Sequence, residues 1–311
     1  MDKNKKRILF KLIPAGFLAL LLLILTIMLF NILTAPGAKE YEAERKLTER
    51  NTQYSKGNSF GFTDKERTPH KPKGIYRIAV IGDSFIWGSG LPYEDAWSHK
   101  LEKKMLAEYD SVEVIHWGTC GWSTQNEFDF YKQHGKDYNV DLLIIGWVDN
   151  DPDMGIKVKP KNPAIEYPRL NKYWPALAKR WVDQKAGDEY SNWLDNLYSH
   201  QNLVEYKKLL INFHEYLKET NTPTLFVMTP SPFYDELKRR FDTMEPVIRS
   251  AGFRCLNLYE PSEKKLGHYS LKQLNANPVN GHPGVLMTEE FALEVKDYLE
   301  ANHYLAHLHK K

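Results

Sequence analysis

Four residues of this 311-residue chain have the types and settings that acyl transfer through a serine requires: Ser84, Gly121, Asn150 and His282. A serine hydroxyl becomes a useful nucleophile only when a base takes its proton and a further group orients that base. Ser84 ends the apolar run RIAVIGDS, and His282 lies in NPVNGHPG, a turn-rich stretch just before a closing helical pattern. Of the eleven histidines, His116 sits within a strand-like run, while His99, His134, His200 and His214 fall in helical patterns suited to packing or solvated faces. The reaction also needs donors aimed at a developing oxyanion. Gly121 can bring backbone close to a ligand, and Asn150 carries an amide. Taken singly, each has a plainer reading: a loop histidine, a turn glycine and an Asn-Asp cap.

The elements that would have to position these residues are legible as short β-rich runs alternating with amphipathic segments, the pattern of a parallel α/β sheet. Strands are expected over 76–81, 112–117, 141–148, 224–229 and 253–258, and helices over 93–109, 123–134, 201–219, 233–250 and 288–301. Ser84, then Gly118 and Gly121, then Asn150 and Asp151, then Thr229 and Pro230 each follow one of the first four strands. In an open parallel sheet the carboxyl ends of the strands share one edge, so these residues should converge there.

These motifs match a known pattern. GDSFIWGSG resembles the first block of the SGNH/GDSL hydrolase superfamily, VIHWGTCGWST the second, IIGWVDND the third and VNGHP the fifth. The flanking stretches NSFGFTDKE and EDAWSHKLEKKM also resemble membrane-anchored or secreted bacterial members, and the resemblance covers roughly residues 57–300. It implies that Ser84 is the nucleophile and one oxyanion donor through its own N–H, that Gly121 and Asn150 are the other donors, and that His282 is the general base. The implied fold is a flavodoxin-like three-layer α/β/α sandwich with a central parallel five-stranded sheet. Asp83 and Asp151 would support the site from behind. Two positions depart from the pattern. Val279 and Asn280 stand where the fifth block carries an aspartate, leaving Asn280 as a weaker orienting partner for His282, and His116 replaces an asparagine as a structural substitution. The spacing does not fit the G-x-S-x-G elbow of α/β-hydrolases.

Tryptophans accompany the first three blocks. Trp87, Trp122 and Trp147 are candidate substrate-binding residues, with packing between sheet and helices as the competing role. The segment 152–200 contains Tyr167, Tyr173, Trp174, Trp181, Tyr190, Trp193 and Tyr198, leaves the chain directly after Asn150 and Asp151, and reads as a cap-like insertion.

Residues 12–33 carry no charge and are long enough as a helix to span a bilayer, and the basic residues Lys3, Lys5, Lys6, Arg7 and Lys11 precede them. The expected organisation is a cytoplasmic tail over 1–11, an uncleaved transmembrane signal anchor over 12–35, a stalk over 36–72 and a hydrolase-like domain over 73–311. The domain would lie on the periplasmic or extracellular side of the cell membrane. Lys and Arg number 42 against 40 Asp and Glu, which leaves no basic field for nucleic acid. Cys120 and Cys255 are too few for a disulfide framework and are expected to be free thiols. No metal-ligand cluster is visible: His303, His307 and His309 lack partners at useful spacing. No cofactor is expected.

The expected activity is that of an esterase or O-acyltransferase working through an acyl-serine intermediate. O-acetyl groups of envelope or exported polysaccharide are the preferred substrate, and a membrane-bound O-acyltransferase is a candidate partner. The rival readings are a lipase- or phospholipase-like esterase, and a catalytically degenerate domain that binds glycan or scaffolds an envelope complex.

Overall fold

The structure is a computed structural model that describes residues 16–29, 57–155, 188–277 and 280–311. Residues 16–29 form an apolar helix, and the ends of the expected membrane span, 12–15 and 30–35, lie outside the described residues. Among the described residues no helix is long and apolar enough to cross a membrane. The chain divides into two units, Met1–Ala43 with Lys159–Tyr190, and Glu44–Val158 with Ser191–Lys311. The second carries the expected site.

Its centre is a parallel sheet of β1 (Tyr76–Gly82), β2 (Val112–Gly118), β3 (Leu142–Trp147), β4 (Thr224–Met228) and β5 (Arg254–Asn257), in the order β2-β1-β3-β4-β5. This is the flavodoxin-like order, and its direction reverses between β1 and β3. Successive strand residues point to opposite faces. Ala79, Ile81, Ile115, Leu143, Ile145 and Phe226 therefore share one core with α3 (Thr124–Gln133), α4 (His200–Glu219) and α5 (Asp235–Ser250). Ile78, Val80, Val114, Leu142, Ile144 and Val227 share the other with α2 (Trp97–Glu108), α6 (Tyr259–Leu266) and α8 (Val285–Ala301). Helices on both faces explain why the strand sequences are continuously apolar instead of alternating.

The five strands lie where the sequence places them, within a residue or so at each end. The helix expected over 93–109 is divided: Tyr93–Asp95 form a 3-10 turn, and Ala96 is extended before α2 begins. There Ala96 packs on Gly88, whose absent Cβ would lie 2.8 Å from the Ala96 Cβ. The sequence reading missed α6, in which Pro261 looks like a breaker. It occupies the first turn, where its missing N–H costs no intrahelical bond. Also missed were α7 (Leu271–Leu274) and the antiparallel pair β6 (Asn275–Asn277) and β7 (Asn280–Pro283).

The stalk assignment over 36–72 needs correction from residue 57 onward, because 57–72 belong to the fold. Phe62 is buried in the α3-side core. Arg67 is buried and bonds Asp64 at 2.9 Å, Glu102 at 3.2 Å and Glu113 at 3.1 Å. Asp64 Oδ2 accepts the N–H of His116 at 3.1 Å, so this arm covers part of the open edge of β2. A covered edge cannot recruit a foreign strand. Residues 36–56 lie outside the described residues, as do 156–187 of the expected cap, with Tyr167, Tyr173, Trp174 and Trp181. Beyond that gap a helix over 188–197 contributes Trp193, Leu194 and Leu197 to a small separate cluster.

Candidate active site

Ser84 is the first residue of α1 (Ser84–Trp87), a single turn that starts directly off the end of β1. Three glycines make this possible. Gly118, Gly82 and Gly146 are register partners across β2, β1 and β3. A Cβ on Gly118 would meet the Trp87 nitrogen at 2.4 Å, one on Gly82 would meet Ile86 Cγ1 at 2.5 Å, and one on Gly146 would meet Ile86 Cδ1 at 2.6 Å. The glycine row is a trough in the sheet end that Ile86 fills, seating α1 and Ser84 on it. Gly88 closes the turn in the left-handed region, at φ 78°.

His282 reaches Ser84 from the far end of the chain. It sits on β7, where the sequence suggests a loop; the strand forms because β6 supplies the ladder that Asn280–Pro283 lack alone. Its Nε2 lies 2.8 Å from Ser84 Oγ, and its ring packs 5.3 Å from that of Phe85. The following helix α8 is tethered by Lys100 of α2, whose buried ammonium donates to the Val285 carbonyl at 3.0 Å and to Thr288 Oγ1 at 3.1 Å. Lys100 holds the base to the nucleophile's side of the sheet, and sequence alone had not singled it out. Its signal was a lysine on a helix face shared with Trp97, Leu101 and Met105. The backbone of Asn280 is on β7, while its side chain lies outside the described residues, as does Val279.

Asp83 is buried and caps α1, its Oδ1 accepting the Phe85 N–H at 2.9 Å. Its Oδ2 accepts from Ser84 Oγ at 3.0 Å. Asp83 thus holds both the loop backbone and the nucleophile itself.

Gly121 has φ 80° and is the third residue of a tight turn closed by the Trp122 N–H on the Thr119 carbonyl, 3.2 Å away. Only glycine takes that conformation freely. The turn feeds α3, which is capped by reciprocal bonds between Ser123 and Asn126. Asn150 lies in the turn after β3, which is pinned on several sides. Arg240 of α5 pairs with Asp149 at 2.9 Å, Tyr198 donates to the Asp149 carbonyl at 2.9 Å, and Asn202 donates to the Pro152 carbonyl at 2.6 Å. Asp151 is fully buried and accepts the Val148 N–H at 3.1 Å, and its carbonyl accepts from the Thr124 N–H, joining the Asn150 turn to the start of α3. Ser84, Gly121 and Asn150 thus follow β1, β2 and β3 at one sheet edge, astride the reversal in strand order, where ligands of such sheets bind.

Glu127 of α3 is an acid that sequence reasoning did not single out. It is fully buried, and among the described residues neither carboxyl oxygen has a hydrogen-bond partner. Burial, and then the charge of Asp83, push its pKa well above the usual range; Asp151 is pushed the same way by burial, Glu127 and Asp83.

The tryptophans divide. Trp147 is fully buried against Phe241, so its assignment to substrate is corrected: the side chain lies in the core between sheet and α5. Trp122 is half-buried against Phe62 and Phe130, and Trp87 is half-buried on α1. Cys120 is exposed and Cys255 buried, and no disulfide joins them.

His99, Glu102 and His116 bring potential ligand atoms within 4.8 Å of one another. Their arrangement does not suit a metal. The two imidazoles are stacked, with centroids 3.8 Å apart and planes at 31°, so their in-plane lone pairs do not converge, and Arg67 already occupies Glu102.

No family model and no curated protein matches this chain. Solved structures do. A protein of the G-D-S-L family from Desulfitobacterium hafniense DCB-2 has a TM-score of 0.46 at 11% identity, covering 71% of this chain and 98% of that one. The lipase/acylhydrolase from Enterococcus faecalis scores 0.48 at 11% identity, covering 76% and 99%. A catalytic mutant of an acetylxylan esterase from Geobacillus stearothermophilus scores 0.48 at 11% identity, covering 74% and 95%. The likeness is one of fold.

Proposed function

We propose that this chain is an SGNH-type serine esterase or O-acyltransferase. The observation that carries this reading is the 2.8 Å contact between His282 Nε2 and Ser84 Oγ, made across 198 residues of sequence at the carboxyl edge of the sheet. Ser84 Oγ attacks an ester carbonyl while its proton passes to His282 Nε2. The carbonyl electron pair moves onto oxygen, where the N–H groups of Ser84 and Gly121 and the amide of Asn150 receive it. Collapse expels the alcohol, which takes the proton from His282. Water then releases the acid, or a sugar hydroxyl takes the acyl group.

The cavity touching Ser84 and His282, lined also by Phe85, Leu91, Trp97 and Thr288, holds about 10 Å³, near the minimum for one water molecule. The uncharged segment near the N-terminus and the basic residues before it support a membrane anchor with the catalytic unit outside, and hence O-acetylated envelope or exported polysaccharide as substrate, with a membrane-bound O-acyltransferase as partner.

The replacement of the usual aspartate by Asn280 favours a second reading, a glycan-binding domain without catalysis. One experiment separates the two: turnover of p-nitrophenyl acetate and p-nitrophenyl palmitate by the full chain, wild type and Ser84→Ala, with fluorophosphonate labelling. Acetate turnover and labelling that both vanish in Ser84→Ala are expected. A wild type that neither hydrolyses ester nor labels would overturn the enzyme reading, and preferential palmitate turnover would overturn the acetyl assignment.

A further inference from the structure

A helix of one turn does not hold its own shape, because ordering its nucleus costs more than its few internal bonds return. α1 is such a helix, so the direction of Ser84 depends on what fixes the two ends of the turn. Asp83 receives the Phe85 N–H at the start. At the finish stands Trp87, whose carbonyl has no partner further along the helix. Thr63 meets it from the arm over 57–72, its Oγ1 donating to the Trp87 carbonyl at 3.1 Å.

Thr63 is itself held by elements other than α1. Its carbonyl lies 2.6 Å from His99 Nε2 of α2, and because a carbonyl oxygen only accepts, that nitrogen carries the hydrogen. The His99 ring in turn lies on the ring of His116 in β2. The next arm residue, Asp64, accepts the His116 N–H at 3.1 Å and the Arg67 guanidinium at 2.9 Å. Thr63 is only 3% exposed, so its hydroxyl has little water to turn to in place of the Trp87 carbonyl.

The preceding residue reaches the second loop of the site. Phe62 packs edge-on against Trp122, with ring centroids 5.6 Å apart, and against Phe130 at 5.0 Å. Trp122 directly follows Gly121, and its N–H closes the turn in which Gly121 sits. Two consecutive arm residues therefore touch the helix that carries Ser84 and the turn that carries Gly121.

From this juxtaposition, and resting on the esterase reading above, we infer that Phe62 and Thr63 are positioning residues that set the Ser84 and Gly121 N–H donors at their working separation. The Thr63 hydroxyl acts on α1, and the Phe62 ring acts on the Gly121 turn. An oxyanion donor is effective only when aimed at the place where charge develops. If the Trp87 end of α1 is released, the Ser84 N–H and Oγ shift together, while the Gly121 turn stays against Phe62. The loss falls on the transition state, because the ground-state ester carries no developed charge for these donors to meet.

Thr63→Val and Thr63→Ala both remove the hydroxyl, the second without any demand on space, while Thr63→Ser keeps it. The measurements are kcat and KM for p-nitrophenyl acetate, the rate of fluorophosphonate labelling at Ser84 and the melting temperature, all on the full chain. Thr63→Val and Thr63→Ala are expected to lower kcat and labelling by about 10- to 100-fold, the scale of a misplacement of up to about 1 Å, with KM close to wild type. Thr63→Ser is expected to keep most of the activity. Phe62→Leu is expected to lower kcat in the same way, and full activity there would remove Phe62 from the assignment. Wild-type kcat and labelling in the Thr63→Val or Thr63→Ala protein would overturn the role of the hydroxyl. Equal losses in Thr63→Ser and Thr63→Ala would also overturn it, leaving Thr63 a packing residue. A wild type that neither turns over ester nor labels overturns the esterase reading and this inference with it, whereas an active wild type with equally active Thr63 variants overturns the positioning role alone.

Discussion

Gly118 faces Trp87 so closely that a Cβ on the glycine would lie 2.4 Å from the Trp87 nitrogen. The obstacle is backbone, so no side-chain rotation relieves it, and α1 would have to lift from the sheet. Gly118→Ala is therefore expected to cost about 1–3 kcal/mol, the usual range for overpacking, and to lower the rate of fluorophosphonate labelling at Ser84. Chemical denaturation and labelling kinetics on one preparation check both parts. Unchanged labelling would show that α1 tolerates the shift.

Arg67 joins the arm over 57–72 to β2 and α2 through Asp64, Glu113 and Glu102, with its own side chain almost fully buried. Removing one partner of a buried network leaves its opposite charges uncompensated. Arg67→Met is expected to destabilise the fold by about 3–5 kcal/mol, measured by urea denaturation. A loss well under 1 kcal/mol would mean that the three carboxylates find solvent in its absence.

Stability should fall on acidification in two windows. Burial, with His116 beside it, lowers the His99 pKa to about 3, so the unfolded chain takes up a proton near pH 6.5 that the folded chain refuses. This contribution is fully present above pH 6.5 and is lost as pH falls toward 3. Burial alone would raise Glu102, but His116 and Arg67 together outweigh it and bring the pKa to about 2. Its stabilisation is present above pH 4.5 and is lost between 4.5 and 2. His99→Gln should flatten melting temperature against pH between 6.5 and 4.5, whereas Glu102→Gln should act only below 4.5. A His99→Gln slope equal to wild type in the upper window would refute the assignment.

Glu127 acts in the opposite sense. Burial and the charge of Asp83 hold its carboxyl protonated in the fold, while the unfolded chain ionises it above about pH 4.5. Folded Glu127 thus binds the extra proton, and stability declines as pH rises above 4.5. Glu127→Gln keeps the shape without the proton equilibrium. It should fold normally and gain on wild type as pH rises from 5 to 8, read from melting temperatures. A variant that loses stability throughout that range would show the acid to be ionised in place.

The sequence by itself determined the scaffold and the strand ends where the chemistry was to be sought. Short, β-branched apolar runs such as IAVI and LLIIG, bounded by turn residues and alternating with amphipathic segments, fit strands covered on both faces, and small polar residues just beyond them mark the edge where Ser84, Gly121 and Asn150 belong. Local pattern suffices there because strand burial and turn preference are written in neighbouring residues. What only the tertiary structure decided are contacts between residues far apart in sequence. The Lys100 bond to Val285 spans 185 residues, and β7 exists only because β6 pairs with it. A glutamate on an amphipathic helix reads as solvated, yet Glu127 points into a closed interior. Trp147 has the same local setting as the tryptophans nearer the surface, and it is buried in a core to which α3, α4 and α5 all contribute, with Phe241 of α5 against its ring. In each case the deciding quantity is which surface a second element covers, and that is settled when the chain folds on itself.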